Sequence, residues 1–319
     1  MAMAIPDSNH ATKRTTRLAI GALVLNALIW GVSWWPFRQL ESHGLHPLWA
    51  TALMYVLISS GILLFYAYRN AWRSFQGCAP LCWLGVAAGL TNVGFNWAVT
   101  VGDVMRVVLL FYLMPAWSVL VAWLMLGEKP TTASLLRLVL AMIGVLIVLK
   151  TPNSPWPIPQ SSTDWLAIGG GLSFAVTNIL LRQYGHLPNG ARMLAMFGGS
   201  GLMAAGAALT GMSLQLVPSP TLQVAGLPVL IGLSLAFVAS NVGLQYGAAK
   251  LAASTTAIVM LTEILFASLS SAALGAAEFS TRTLIGGGLI VLAAVLAALA
   301  PTPTPEDTPR DATLKPPHA

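Results

Sequence analysis

Thr91-Asn92-Val93-Gly94-Phe95-Asn96-Trp97 and Ser240-Asn241-Val242-Gly243-Leu244-Gln245-Tyr246 align without a gap at a separation of 149 residues. The Asn-Val-Gly core is identical. The other four positions keep a hydroxyl, a bulky apolar group, a carboxamide and an aromatic ring. Both stretches lie inside long apolar segments, where alanine, leucine and valine would align anywhere but carboxamides and rings do not. A membrane protein built of two such halves in opposite orientation is most simply a transporter, with its site where the halves meet.

Composition supports the membrane assignment. Of 319 residues, 56% are hydrophobic and 8% charged, against about 25% charged in soluble proteins. Ten apolar segments have the length of a membrane-crossing helix: 18–38, 47–68, 81–101, 104–126, 132–150, 163–182, 190–210, 227–247, 251–274 and 282–300. The expected fold is therefore an all-α integral membrane protein of ten transmembrane helices. Almost no linker separates segments 3 and 4, or segments 8 and 9.

The pI of 9.6 does not indicate nucleic acid, because the cations form no patch. They follow the positive-inside bias instead. With the N-terminus inside, the inner face holds Lys13, Arg14, Arg17, Arg69, Arg73, Lys129, Arg137, Arg182, Arg192, Lys250, Arg310 and Lys315; the outer face holds only Arg38, Arg106, Lys150 and Arg282. Both termini are expected in the cytoplasm, and the protein in the cell inner membrane. Lys13, Arg14 and Arg17 before an apolar run resemble a secretory leader. The run is longer than an h-region and ends in Trp34-Trp35-Pro36-Phe37-Arg38 without a cleavage site, so it reads as an uncleaved first helix. Cys78 and Cys82 have no nearby histidine and read as free thiols, not a zinc site.

Residues 1–17 form a cytoplasmic tail, 18–150 a first five-helix repeat, 163–300 a second, and 301–319 a proline-rich tail expected to be disordered. The linker 151–162, with Pro152, Pro155, Pro157 and Pro159, divides the repeats. Five crossings are an odd number, so the second repeat enters from the opposite side and the symmetry is inverted. Further matches extend it. Ser33–Gln39 aligns with Thr177–Gln183 at a shift of 144, which pairs Trp34 with Asn178. Leu126-Gly127-Glu128 corresponds to Leu274-Gly275 followed by Glu278.

Trp30-Gly31-Val32-Ser33-Trp34, the stretch from Tyr112-Leu113-Met114-Pro115-Ala116-Trp117 to Leu126-Gly127-Glu128-Lys129, and its counterpart from Glu263-Ile264-Leu265-Phe266 to Gly275 resemble the drug/metabolite transporter superfamily in its ten-helix EamA-type branch. The likeness spans about residues 18–300. The Glu-Pro pair common in the family's fourth or ninth helix is split here between Met114-Pro115 and Glu263-Ile264. The resemblance implies helices 1, 3, 4, 6, 8 and 9 around a central cavity. It also implies export of amino acids or other small metabolites across a bacterial cytoplasmic membrane.

Substrate-binding candidates follow from polarity and position. Asn92 and Asn96 share one helix face, as do Asn241 and Gln245, and lipid offers a carboxamide no partner. For Asn92 and Asn241 interhelical bonding is the competing reading, worth only about 0.6 kcal/mol per contact. Asn96 and Gln245 differ between halves, beside Trp97 and Tyr246, and suit a substrate site better. Glu263 is the one acid deep in an apolar helix, at a cost of roughly 2.5 kcal/mol or more. It is a candidate for a substrate amine or a coupling proton; holding helices together is its alternative. Arg106 and Arg38 lie near the outer face, within reach of a substrate carboxylate or of headgroups. Trp30, Trp34 and Phe37 share a face toward cavity or lipid, and Phe111, Tyr112 and Trp117 add rings, while Trp49, Trp72, Trp83, Trp156 and Trp165 fit interfacial belts. Asn178 completes the candidates. Pro115 deletes one backbone bond and makes a hinge, and the glycine clusters read as close helix contacts.

Rival classes fare worse. No G-x-x-x-x-G-K-[ST] loop or nucleotide domain exists for an ATP-driven pump. Gly198-Gly199-Ser200-Gly201 has the look of an intramembrane serine protease, but histidines 10, 43, 46, 186 and 318 all lie in tails or loops, leaving no base. A passive channel shares most of these features. The expected protein is a secondary carrier, not an enzyme. It needs no cofactor or metal, and its partners are a small-molecule substrate and the bilayer.

Overall fold

The structure, a computed structural model, describes residues 8–70, 77–102, 104–150, 159–276 and 280–300. Trp72, Arg73, Trp156, Glu278, most of the proline-rich linker and the C-terminal tail with Arg310 and Lys315 lie outside the described residues. The described chain is helical, 82% overall, without strands. In order the helices are α1 (Ser8–Val32), α2 (Trp34–Ser42), α3 (Pro47–Tyr68), α4 (Leu81–Val101), α5 (Val104–Phe111), α6 (Met114–Leu126), α7 (Thr132–Leu149), α8 (Ser162–Gln183), α9 (Asn189–Ser213), α10 (Leu227–Lys250), α11 (Ala253–Met260), α12 (Glu263–Ala273) and α13 (Thr281–Ala298). Helix covers each of the ten apolar segments.

Nine stretches among the described residues are long and apolar enough to cross a membrane, with α1–α2, α5–α6 and α11–α12 each forming one stretch. Helix α4 has 21 residues, enough length, but is not among the nine. Thr91, Asn92, Asn96 and Thr100 all lie on it. Three of these satisfy themselves within the helix, Thr91 Oγ1 donating to the Ala87 carbonyl at 2.9 Å, Asn92 Nδ2 to Ala88 at 2.9 Å and Thr100 Oγ1 to Asn96 at 2.7 Å. Elsewhere the outer surface is apolar. Leu124 is 73% and Leu202 78% exposed, which water would not tolerate over so wide an area. This is a multi-pass membrane protein.

Local geometry recurs at the shift read from the sequence. Helices α5 and α11 are both eight residues long, and both ends differ by 149. Each follows a two-residue link after a capped helix: Gly102 N–H donates to Ala98, and Leu251 N–H to Gly247. Each is followed by a break, at Tyr112-Leu113 and at Leu261-Thr262. The causes differ. Pro115 lacks the N–H that would bond the Phe111 carbonyl; in the other half the Thr262 hydroxyl bonds the Val259 carbonyl at 2.8 Å and competes with the helix. The next helices also match, Thr131 capping α7 through Ser134 N–H and Ser280 capping α13 through Thr283 N–H.

Packing repeats as well. Helix α4 lies along α8 and α9, and α10 lies along α1 and α3; α3 pairs with α9, and α7 with α13. A Cβ on Gly94 would stand 2.8 Å from the Leu166 carbonyl oxygen, and one on Gly243 would stand 2.5 Å from that of Ala22. Leu166 and Ala22 are 144 apart, the shift that relates Ser33 to Thr177. Alanine at 243 must therefore push α10 off α1. Gly243→Ala is expected to lower the melting temperature in detergent. Gly232→Ala, on the same helix with nothing near its Cβ, leaves it level or raises it.

Two ion pairs join α5–α6 to α8, Arg106 to Asp164 at 3.3 Å near one end and Glu128 to Arg182 at the other. These stretches thus run parallel. Asp164 also closes a capping box with Ser161.

The entry to α3 adds a titrating cap. His46 Nδ1 accepts Leu48 N–H at 3.2 Å, so that nitrogen must carry no proton. Burial lowers the His46 pKa below the ordinary 6.5, against an upward pull from Glu41. The unfolded ring therefore takes up its proton at higher pH than the folded one. The cap's contribution is complete above 6.5 and shrinks as pH falls below it. His46→Asn keeps an acceptor that does not titrate. Between pH 7.5 and 5.5 its melting temperature is expected to fall less than that of the wild type.

Candidate substrate cavity

The two helix breaks line one cavity. Phe111, Tyr112 and Met114 reach it from the first, Met260 and Glu263 from the second. Met114 and Glu263 are 149 apart, so the broken helices bring equivalent positions to one space and put the carboxylate in only one of them. The cavity measures about 100 Å³, room for several waters at roughly 10–15 Å³ each. Helices α1, α4, α8 and α10 also contribute, as the family resemblance implies for segments 1, 3, 6 and 8. Tyr55 of α3 and Met196, Phe197 and Ser200 of α9 bring in segments 2 and 7 as well.

Rings fill much of the wall. Trp30 meets Phe237 edge-on with centroids 4.7 Å apart, Phe95 meets Phe111 at 4.7 Å, and Tyr55 meets Phe197 at 5.3 Å. Such contacts fix the rings against one another. The polar atoms between them are mostly committed. Asn92 accepts from the Tyr55 hydroxyl at 3.0 Å and donates to Ser200 Oγ at 3.1 Å, tying α4 to α3 and α9. Asn26 Nδ2 donates to the carbonyl and hydroxyl of Ser240, at 2.9 and 2.6 Å, tying α1 to α10. Asn241 accepts from Gln245 at 2.6 Å and turns its own amide to Met196 sulfur at 3.4 Å.

Two side chains on the wall are less committed. Asn96 forms no side-chain hydrogen bond among the described residues. Glu263, the first residue of α12, shares the wall with Tyr112 of the other break. Among the described residues it is the sole ionisable carboxyl or cationic side chain on the wall. A carboxyl, an unengaged carboxamide and a ring-lined space have the mixed polar and apolar character of a small-molecule pocket.

Residues 17–150 match the EamA-like transporter family. That family belongs to the drug/metabolite transporter superfamily. A solved protein crystal structure shares the fold with a TM-score of 0.72, over 89% of this chain and 97% of its own, at 17% identity. At that identity the likeness speaks for the fold alone. No curated protein matches.

Of the residues expected at the site, Trp30, Asn92, Asn96, Tyr112, Asn241 and Glu263 stand on the cavity wall. The remaining candidates lie elsewhere. Trp34 is turned away by the α1–α2 break at Ser33 and donates its indole N–H to Ser270 at 2.9 Å. Trp97 packs beside Val217 and Leu48 in a separate cluster. Arg106 is held by Asp164 and by Gln160 at 3.2 Å. Asn178 is 2% exposed and neither amide atom has a hydrogen-bond partner among the described residues, yet it is not on the wall. Gln245 sits behind Asn241, and Tyr246 is 36% exposed under the Lys250 ammonium. Pro115 is buried just past the α5–α6 break. Ser200, the serine of the Gly-Gly-Ser-Gly run, is an acceptor for Asn92.

Sequence reasoning missed Asn26, Tyr55, Ser200 and Ser240. Asn26 was legible by the rule applied to Asn92, since it is the one carboxamide inside the first apolar run. Tyr55 and the serines carried no such signal, because hydroxyls satisfy themselves within any membrane helix.

Proposed function

We propose that this protein is a secondary carrier that moves a small amphipathic solute by alternating access, with Glu263 as the coupling group. In this reading α4 is the tenth crossing. Residues 18–150 and 163–300 are inverted five-helix repeats, residues 1–17 and 301–319 are cytoplasmic tails, and the protein sits in the inner membrane. One observation carries the reading: broken helices related by the 149-residue shift face a single cavity, with Met114 on one side and Glu263 on the other. Breaks at depth are tolerated where backbone lines a cavity, and rocking one half against the other would open that space to each side in turn. Trp30, Asn96, Tyr112 and Glu263 contact the solute. Asn92 and Asn241 hold the walls. Export is the direction the family resemblance favours.

Purified protein in liposomes, given a panel of solutes with and without a pH gradient, tests this. The carrier predicts saturable counterflow stimulated by the gradient. Flux that grows linearly with concentration and shows no counterflow would identify a passive pore instead.

A further inference from the structure

Three residues of the cavity wall are each backed by a polar residue one helical turn further on. Met114 of α6 and Phe174 of α8 line the cavity, and four residues later come Ser118 and Asn178. Met260 of α11 lines it too, and four residues earlier comes Thr256. Helices α6, α8 and α11 pack pairwise. The two ion pairs set α6 and α8 parallel. Helix α11 runs against them, since Ala253 packs with Val121 and Ala122 while Met260 shares the wall with Met114. All three steps therefore lead the same way, toward the Glu128–Arg182 pair, by roughly 6 Å along the axes. Behind an apolar floor of Met114, Phe174 and Met260 lies a closed polar layer, with Ser118 0%, Thr256 1% and Asn178 2% exposed. Neither hydroxyl and neither amide atom of this layer has a hydrogen-bond partner among the described residues, nor has the Trp117 indole N–H of the same interface.

The layer is not a by-product of the internal repeat. The shifts of 149 and 144 carry Ser118, Thr256 and Asn178 to Ala267, Val107 and Trp34, two apolar side chains and an indole whose N–H is satisfied by Ser270. The unpaired groups belong to one side of the cavity alone. Hydroxyls in membrane helices ordinarily bond the carbonyl one turn back, as Thr91 and Thr177 do; Ser118 and Thr256 do not. Buried polar atoms without partners disfavour the closed packing, and parting of the helices would supply the partners. We propose that Ser118, Asn178 and Thr256 form an inner solute station, shut in this state, which receives the neutral hydrogen-bonding groups of the solute once Met114, Phe174 and Met260 separate. This rests on the carrier reading above and adds to it the leg of the path between the cavity and the Glu128–Arg182 end. The layer offers donors and acceptors but no charge, which suits hydroxyl, amide or carbonyl groups and not an ion.

The test places single cysteines in the layer, Ser118→Cys, Asn178→Cys and Thr256→Cys, in a full-length Cys78→Ser/Cys82→Ser background. Ala141→Cys is an equally buried control away from the layer, and Lys129→Cys, exposed beside Glu128, marks the face. Inverted vesicles and intact cells are treated with trimethylammonioethyl methanethiosulfonate, a small impermeant thiol reagent. All three layer cysteines are expected to react at least about tenfold faster than Ala141→Cys, because a minor open state exposes them, and only from the face that labels Lys129→Cys. Asn178→Leu removes both unpaired amide atoms at similar volume. It should therefore hold or raise the melting temperature, and by favouring the closed state slow the labelling of Ser118→Cys about tenfold. Layer cysteines no faster than Ala141→Cys overturn the proposal, as does labelling from the opposite face alone. A lower melting temperature in Asn178→Leu, or undiminished labelling of Ser118→Cys in its presence, overturns it too. Equal labelling from both faces leaves the station standing and defeats the carrier reading in favour of a pore. Unreactive layer cysteines in a protein that still shows counterflow on the solute panel do the reverse.

Discussion

Glu263→Gln is expected to reduce gradient-driven transport to the level of protein-free vesicles while the protein folds and purifies normally. Glutamine has nearly the volume of glutamate, so the wall keeps its shape. It loses the ability to take and release a proton. Placing an ionised acid inside the membrane costs roughly 2.5–3.5 kcal/mol on insertion scales, so the variant should be as thermostable as the wild type or more so. Such a trade of stability for activity is what a functional buried charge predicts. A purely structural Glu263 predicts the opposite pattern, lower melting temperature with transport preserved. Normal pH-dependent transport by Glu263→Gln would reject the coupling role.

The second large contrast lies one helical turn apart on α4. Asn92→Ala strips the Tyr55 hydroxyl and Ser200 of their partner and unties three helices. A buried polar group left unsatisfied costs about 1–3 kcal/mol, although membrane contacts tend to the low end. Asn92→Ala should therefore lower the melting temperature by several degrees. Asn96→Ala breaks no recorded bond of its side chain, and stability should not change. Its effect should appear in transport, as a rise in KM of about tenfold if its carbonyl meets the solute. Thermal melts and transport kinetics on both variants separate these outcomes. Equal destabilisation by the two would show that Asn96 has a structural partner in the membrane.

Long-range order was legible in this sequence because it was written twice. The shift of 149 found in the Asn-Val-Gly stretches also relates helix breaks, caps and close glycine contacts. Helix existence followed from apolar run length alone. The cavity was harder to read. Polarity inside a membrane helix marks a residue that must face inward, but several inward environments exist. Gln245 bonds Asn241 on its own helix, Asn178 is buried away from the wall, Arg106 faces Asp164, and only Asn92, Asn96 and Asn241 of the expected carboxamides face the shared space. The direction of Trp34 depended on a break at Ser33, where the Ser33 hydroxyl bonds the Trp30 carbonyl at 2.7 Å and Pro36 has no N–H to bond the Val32 carbonyl. The equivalence of Met114 and Glu263 was present in the numbering, yet it acquired meaning only when both side chains met across one cavity.

Sidedness decides the architecture. The native thiols Cys78 and Cys82 precede α4. Thr132 at the start of α7 and Thr281 at the start of α13 are equivalent under the shift of 149, and both are exposed. Single cysteines at 132 and 281, in a Cys78→Ser/Cys82→Ser background, and the wild type are labelled with an impermeant thiol reagent in intact cells and in inverted vesicles. Two flipped five-helix halves with α4 crossing the bilayer require the native thiols and position 132 to react from the cytoplasmic face, and position 281 from the other. Labelling of 132 and 281 from the same face, or of 132 and the native thiols from opposite faces, would contradict the account.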